Sequence, residues 1–219
     1  MRTVWLLAAA LTLIPATARA DDDAQLWLIL TSDVKLDDND SLTANVIYRS
    51  RPDELEAGQR ILRAGVSHKL QGGASLTFTY SHVQNFAENA PDGVQHRLGQ
   101  SIGLPLVKGV DARIQAEEIF ARGSDDIGVR ARGRLRWVHP LNKNGDIDLQ
   151  LSDELIISVN DTDWGQNAGW TANRTSAAIH FKLSSQMGIA PSYTWQLVNR
   201  LIGANRNDHI LGLTIDTHF

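Results

Sequence analysis

The sequence predicts an all-β protein, an antiparallel up-and-down transmembrane β-barrel of ten or twelve strands behind an N-terminal signal peptide. Three observations predict it. Apolar and polar residues alternate with a period of two from one end of the chain to the other. The alternating runs reach about a dozen residues, where an ordinary globular strand has roughly 5–6 and a tilted membrane strand roughly 9–11. Short turns alternate with longer polar loops, the plan of a barrel with tight connections on one side of a membrane and larger ones on the other.

The leader comes first. Arg2, the apolar run from Val4 to Pro15 and the small-residue site Ala18-Arg19-Ala20 read as a secretory signal peptide, with cleavage expected after Ala20. Residues 1–20 are therefore assigned as leader and 21–219 as one barrel domain. Loss of Arg2 and Arg19 would take the formal charge from −4 to −6. The chain has no cysteine, so an exported protein of this kind gains nothing from disulfides and relies on packing and hydrogen bonding. No second apolar stretch approaches the roughly 18 residues of a spanning helix, which leaves a soluble domain or a closed barrel.

Eleven segments can be assigned in order. The first is 25–36. In 41–51, Leu42, Ala44, Val46 and Tyr48 oppose Thr43, Asn45, Arg49 and Arg51; in 58–70, Leu62, Ala64, Val66 and Leu70 oppose Arg63, Ser67 and Lys69. In 74–85, Leu76, Phe78 and Tyr80 oppose Ser75, Thr77 and Thr79; in 94–106, Leu98, Ile102, Leu104 and Leu106 oppose Arg97, Gly99, Ser101 and Gly103. Segment 110–122 follows. In 126–139, Ile127, Val129, Ala131, Leu135 and Trp137 oppose Arg130, Arg132, Arg134 and Arg136; in 146–159, Ile147, Leu149, Leu151, Leu155 and Ile157 oppose Asp148, Gln150, Ser152 and Glu154. In 171–183, Ala177, Ile179, Phe181 and Leu183 oppose Arg174, Ser176, His180 and Lys182; 187–199 follows, and 207–219 sets Leu211, Leu213, Ile215 and Phe219 against Gly212, Thr214, Asp216 and His218. Each has one apolar and one wet face.

Short turns fall at 37–40, 71–73, 107–109, 142–145 and 184–186, and longer loops at 52–57, 86–93, 160–170 and 200–206, with 123–125 the short exception. Eleven is an awkward count. With the C-terminus and the short turns on one side, the first segment starts on the other, whereas bacterial barrels normally have an even number of strands. Ten or twelve is therefore the expectation, with a break within 21–36, an N-terminal segment partly in the lumen, or one strand split or merged. Trp27, Tyr48, Tyr80, Trp137, Tyr193 and Trp195 are expected near the two membrane interfaces. The competing fold is a soluble β-sandwich or lipocalin-like barrel with those rings in its core.

The order Ala116-Glu117-Glu118-Ile119-Phe120, Arg130-Ala131-Arg132-Gly133-Arg134-Leu135-Arg136, Asp153-Glu154-Leu155 and a terminal Phe219, with the early Gln25-Leu26-Trp27, resembles the bacterial family called domain of unknown function 2490. The resemblance covers nearly the whole chain after the leader and implies an outer-membrane-type β-barrel, with no established biochemical role to carry over. The last strand is similar to the signal by which barrel-assembly machinery recognises its clients, with Phe219 as the closing aromatic. Where an arginine often follows the carboxylate of the sixth strand in that family, this chain has Glu118 and Ile119.

The strongest polar feature is the ladder Arg130, Arg132, Arg134 and Arg136 on one strand face, where four like charges require neutralisation. A hairpin about Asn142 and Lys143 with Arg136 opposite Asp148 puts Arg130 by Glu154; a two-residue slip brings Arg132 to Glu154 instead. With Glu117, these residues form the expected lumen charge network. Paired, they would plug a narrow barrel. Because basic residues outnumber acidic ones on the polar faces, they would otherwise line a narrow anion-favouring pore. The doublets Glu117-Glu118 and Asp153-Glu154 break the alternation, and a β-bulge turning both members inward is expected at each.

An enzyme is the alternative. His82 and His96 flank the 86–93 loop and fall nearly opposite each other, with Ser81 beside one and Glu88 in the loop, a set that would suit an outer-membrane lipid-modifying hydrolase. Alternation, however, turns Ser81 inward. The same pair lacks the three or four protein ligands of a metal centre, so no metal and no cofactor is expected. A soluble periplasmic lipid-binding barrel is the third reading. There is no phosphate loop, nucleophile elbow, zinc-protease motif or nucleic-acid module, and no nucleic-acid partner is expected. The expected surroundings are outer-membrane lipid and lipopolysaccharide, with the protein a monomer.

Overall fold

A computed structural model describes residues 22–51, 54–86, 93–201 and 203–219. The leader assigned to 1–20 and the loop residue Glu88 lie outside the described residues. The described chain is built from strands, with one 3-10 turn at Gln71–Gly73. The strands are β1 (Asp22–Lys35), β2 (Asp40–Arg51), β3 (Glu54–Lys69), β4 (Ser75–Phe86), β5 (Gly93–Val107), β6 (Val110–Ala121), β7 (Ile127–Pro140), β8 (Ile147–Ser158), β9 (Gly169–Lys182), β10 (Met187–Val198) and β11 (Arg206–His218).

They close into one barrel in sequence order, each strand antiparallel to the next. The strand count is eleven, not ten or twelve. In an up-and-down sheet of odd number the first and last strands run the same way, so closure requires a parallel seam. β1 and β11 supply it, in unbroken register from Asp22 opposite Asn207 to Asp33 opposite His218. No break within 22–35 and no merged strand is needed. Closure satisfies every edge, which removes the exposed ladder that invites aggregation.

Burial is inverted relative to a water-soluble core. Leu26, Leu28, Leu30, Leu42, Val46, Leu62, Val66, Phe78, Leu98, Ile114 and Leu135 all lie on the outer surface, each more than 40% exposed. Their neighbours in sequence point inward, where Ile61, Val83, Ile119 and Ile210 are 1% exposed or less. The expected aromatic positions divide accordingly. Tyr48, Tyr80, Trp137, Tyr193 and Trp195 face outward, whereas Trp27, opposite in parity to Leu26 and Leu28, faces the lumen.

The two mouths differ. At one, chain reversals are tight: Gly109 adopts φ +77, and a Cβ there would press on the Val138 carbonyl. Between β1 and β2, the Asp37 carboxylate accepts the backbone N–H groups of Asn39 and Asp40, both at 2.8 Å. Those two bonds hold its carboxyl below the ordinary carboxylate range. At the other mouth the 159–168 loop folds back over the barrel. Trp164 packs where Gly128 has no side chain, and Gln166 donates to the carbonyls of Val129 and Asn160.

Register shifts occur at Ser50/Arg51, Pro105/Val107 and Ile156/Ile157. None falls at either carboxylate doublet. The expected bulges are therefore absent there, strict alternation holds, and Glu118 and Asp153 face outward while Glu117 and Glu154 face inward. Asp153 is satisfied on the outer wall by Asn173 Nδ2 at 3.0 Å and Thr175 Oγ1 at 2.7 Å.

Candidate functional site

Alternation in β6, β7, β8 and β9 sends Arg113, Glu117, the arginine ladder, Glu154 and Arg174 into the same half of the lumen. β7 and β8 pair with Pro140 opposite Asp148, Arg136 opposite Ser152 and Arg134 opposite Glu154, a register beyond both expected ones. The reason is the turn. Asn142 Oδ1 accepts the N–H groups of Asp146 and Ile147, and Leu141 N–H bonds the Ile147 carbonyl, so the reversal takes up more residues than a tight hairpin.

Strand tilt nevertheless brings the diagonal partners together. Arg132 bridges two buried carboxylates, donating from Nη2 to Glu154 at 2.6 Å and from Nη1 to Glu117 at 3.4 Å. Glu154 also takes Arg113 at 2.9 Å and stands 3.5 Å from Arg174. Glu117 accepts Gln115 Nε2 at 3.0 Å, with Arg130 4.0 Å away. Asp111, not Asp148, takes the end of the ladder, 2.8 Å from Arg136 and 3.6 Å from Arg134. Of the residues read from the sequence, the structure thus joins Glu117, Arg130, Arg132 and Glu154 directly, with Arg134 and Arg136 on Asp111.

Asp148 belongs to a different group near the short-turn mouth. His180 stands between Asp148, at 3.9 Å, and Asp216, at 3.2 Å; His218 stands between Asp216, at 3.1 Å, and Asp33, at 3.7 Å. Gly188 makes room for it, since a Cβ there would collide with the His180 imidazole and the Asp216 carboxylate. Above this group the lumen wall is made of small residues such as Thr43, Ser67, Thr77, Ser101 and Thr214, with Ser67 and Thr77 hydroxyls 2.7 Å apart.

Toward the long-loop mouth, Trp27 carries the guanidinium of Arg49 at 4.0 Å and that of Arg174 at 5.3 Å from its ring centroid. These residues line a cavity of about 300 Å³ together with Gln25, Gln59, Asn85, Gln196 and Arg206. Arg206 is neutralised by Asp208, at 2.6 and 3.1 Å, and Gln196 Nε2 also donates to Asp208. Sequence reasoning missed this cavity, because its wall is assembled from seven strands; the inward parity of Trp27 was the available signal.

His82 and His96 are paired directly across β4 and β5, with ring centroids 5.2 Å apart, on the outer wall. Tyr80 Oη is 2.7 Å from His96 Nδ1. Ser81 points the other way, into the lumen, where Arg63 Nε donates to it at 3.0 Å. Hydroxyl and imidazole therefore lie on opposite faces of the wall. Among the described residues no group of three or more potential metal ligands is found.

The fold and the site together define a class: a closed, odd-stranded β-barrel with an apolar exterior and an arginine–carboxylate cluster in its lumen. The chain belongs to the family described as "Protein of unknown function (DUF2490)", whose model matches residues 24–207. It is also similar to an uncharacterised protein of Methylorubrum extorquens, at 28% identity over 225 residues, covering 98% of each chain.

Proposed function

We propose that this protein is an outer-membrane β-barrel of structural type whose lumen is held shut by packed isoleucines and ion pairs. What carries the reading is the inversion of burial: leucines cover the outside while Glu117 and Glu154, 3% and 7% exposed, lie within. Water offers no reason for that arrangement; a bilayer does. The strand lengths of 12 to 16 residues suit a tilted crossing of the hydrocarbon layer. Export after cleavage at Ala20, insertion by barrel-assembly machinery through the β11 terminus with Phe219, and life as a monomer among outer-membrane lipid and lipopolysaccharide complete the proposal.

The closed state is supported by the lumen contents. Ile47, Ile61 and Val83 pack together with Ile29 on one wall, and the Arg132 cluster fills the facing one. Planar bilayers containing the purified protein are therefore expected to stay electrically silent. Discrete steps with anion preference, reduced by replacing Arg132 or Arg134, would instead return the pore expected from the arginine ladder. Location is checked by cell fractionation with gel mobility before and after heating: a folded barrel in the membrane fraction migrates differently once heated, and recovery in the periplasmic fraction without detergent would refute the proposal.

A further inference from the structure

We propose that the cavity at the long-loop mouth binds a small phosphorylated, hydroxyl-rich solute, with Arg49 and Arg174 holding its phosphate. The inference goes beyond the membrane reading, and its test does not need a membrane.

The first support is charge. Among the described residues, Arg49 has no carboxylate within ion-pair distance, and the charges that act on it most strongly are those of Arg174, Arg132, Arg97 and Arg63. Its Nη1 donates to Gln59 Oε1 at 2.9 Å, while its Nε is buried without a hydrogen-bond partner. Arg174 shares Glu154 with Arg132 and Arg113, which lie closer to that carboxylate. Among the described residues, Arg49 thus carries a positive charge with no carboxylate partner and Arg174 has only a shared one, and a buried charge without a full counter-charge is costly.

The second support is the polarity of the hydrogen bonds. Gln59 accepts from Arg49 through Oε1, so its Nε2 donates onward to Asn85 Oδ1 at 2.7 Å, which leaves the Asn85 amide as a donor. Gln25 accepts Trp27 Nε1 through Oε1 at 2.9 Å, which likewise leaves its own amide to donate. The Asn85 and Gln25 amides and the Arg49 guanidinium thus offer donors to the cavity, while Gln196 Oε1 accepts Arg174 Nε and Arg206 is committed to Asp208; the free donors suit an oxyanion with several acceptor oxygens. The Trp27 ring carries both guanidinium groups, their Cζ atoms 4.0 and 5.3 Å from its centroid, which restrains both side chains beside the cavity.

Size and access narrow the class. A cavity of about 300 Å³ exceeds a bare phosphate and is at the small end of ligand pockets, which fits a polar molecule of monosaccharide size. The continuous wall separates it from the outer leucines, so a phosphate reaches it through the mouth as part of a free solute rather than as the head group of a lipid embedded outside.

The test uses the purified full chain in neutral detergent, titrated with glucose 6-phosphate and followed by calorimetry and tryptophan fluorescence. Saturable binding is expected, weakened about tenfold or more in Arg49→Gln, as the loss of a charge-assisted hydrogen bond implies. Asn85→Asp, which puts a carboxylate in the cavity without touching either arginine, should weaken it as much, and Lys108→Gln, in a turn at the opposite mouth, should leave it unchanged. Heat-dependent mobility confirms that each variant is folded. Absence of saturable binding, equal binding by glucose, or affinity within twofold of the parent in both cavity variants would overturn the proposal. Competition by micelles doped with phosphatidic acid would overturn the assignment to a free solute.

Discussion

Glu154→Gln is expected to destabilise the folded barrel by about 3–5 kcal/mol, the usual cost of removing one member of a buried ion cluster. The substitution keeps the shape of the side chain and removes only its charge. Three guanidinium groups depend on that charge: Arg132 at 2.6 Å, Arg113 at 2.9 Å and Arg174 at 3.5 Å. Without it, Arg132 retains only Glu117, and Arg113 and Arg174 face like charges across a closed space. Urea titration of the heat-modifiable gel shift measures the loss. Adding Arg132→Gln to Glu154→Gln should recover part of it, because the double variant no longer buries the most crowded cation. Glu118→Gln, the same exchange one residue from Glu117 but on the outer wall, should cause no loss. A Glu154→Gln barrel within about 1 kcal/mol of the parent would show that the cluster is not what holds the lumen together.

Val46→Arg separates a bilayer from water as the outer solvent. Val46 is 43% exposed and sits at the middle of β2, on the outer face. In lipid an arginine at mid-wall costs about 2–4 kcal/mol, falling toward zero at the interfaces. In water it costs almost nothing, since nothing packs over that position. Folding into phospholipid vesicles, measured against the parent, should therefore show the full loss, with a smaller one for Leu36→Arg in the turn after β1, which is 56% exposed. Equal stability of Val46→Arg and the parent in vesicles would remove the membrane proposal.

Alternation made the strands legible, and which face was wet, because each strand needs only its own residues to announce a period of two. Trp27 was legible by the same rule: its parity opposes Leu26 and Leu28, and proximity to a strand end was the weaker guide. All eleven strands were legible as segments; the expectation of ten or twelve came from the even-number rule of bacterial barrels, and the parallel β1–β11 seam that permits an odd count joins the two ends of the sheet, where no turn residue marks it. The β7–β8 register failed for a local reason, the Asn142 side chain satisfying a wider turn than the hairpin chemistry suggested. The Arg132–Glu154 contact survived that error because a long side chain reaches diagonally across the ladder. The doublets misled because a carboxylate on an apolar face looks like a fault, whereas Asn173 and Thr175 on the neighbouring strand accommodate Asp153 where it stands. The long-loop cavity needed positions from distant strands to be superposed, which only closure of the wall provides.

The parallel seam puts the start of β1 and the end of β11 at opposite openings, residue 22 beside the long loops and residue 219 beside the tight turns. An even-stranded cylinder would release both on one side. On the outer-membrane proposal, epitopes fused before β1 and after β11 of this chain should thus be labelled by reagents confined to different compartments, and a bulky folded cargo ahead of β1 would have to be carried across before the last strand could zip to the first.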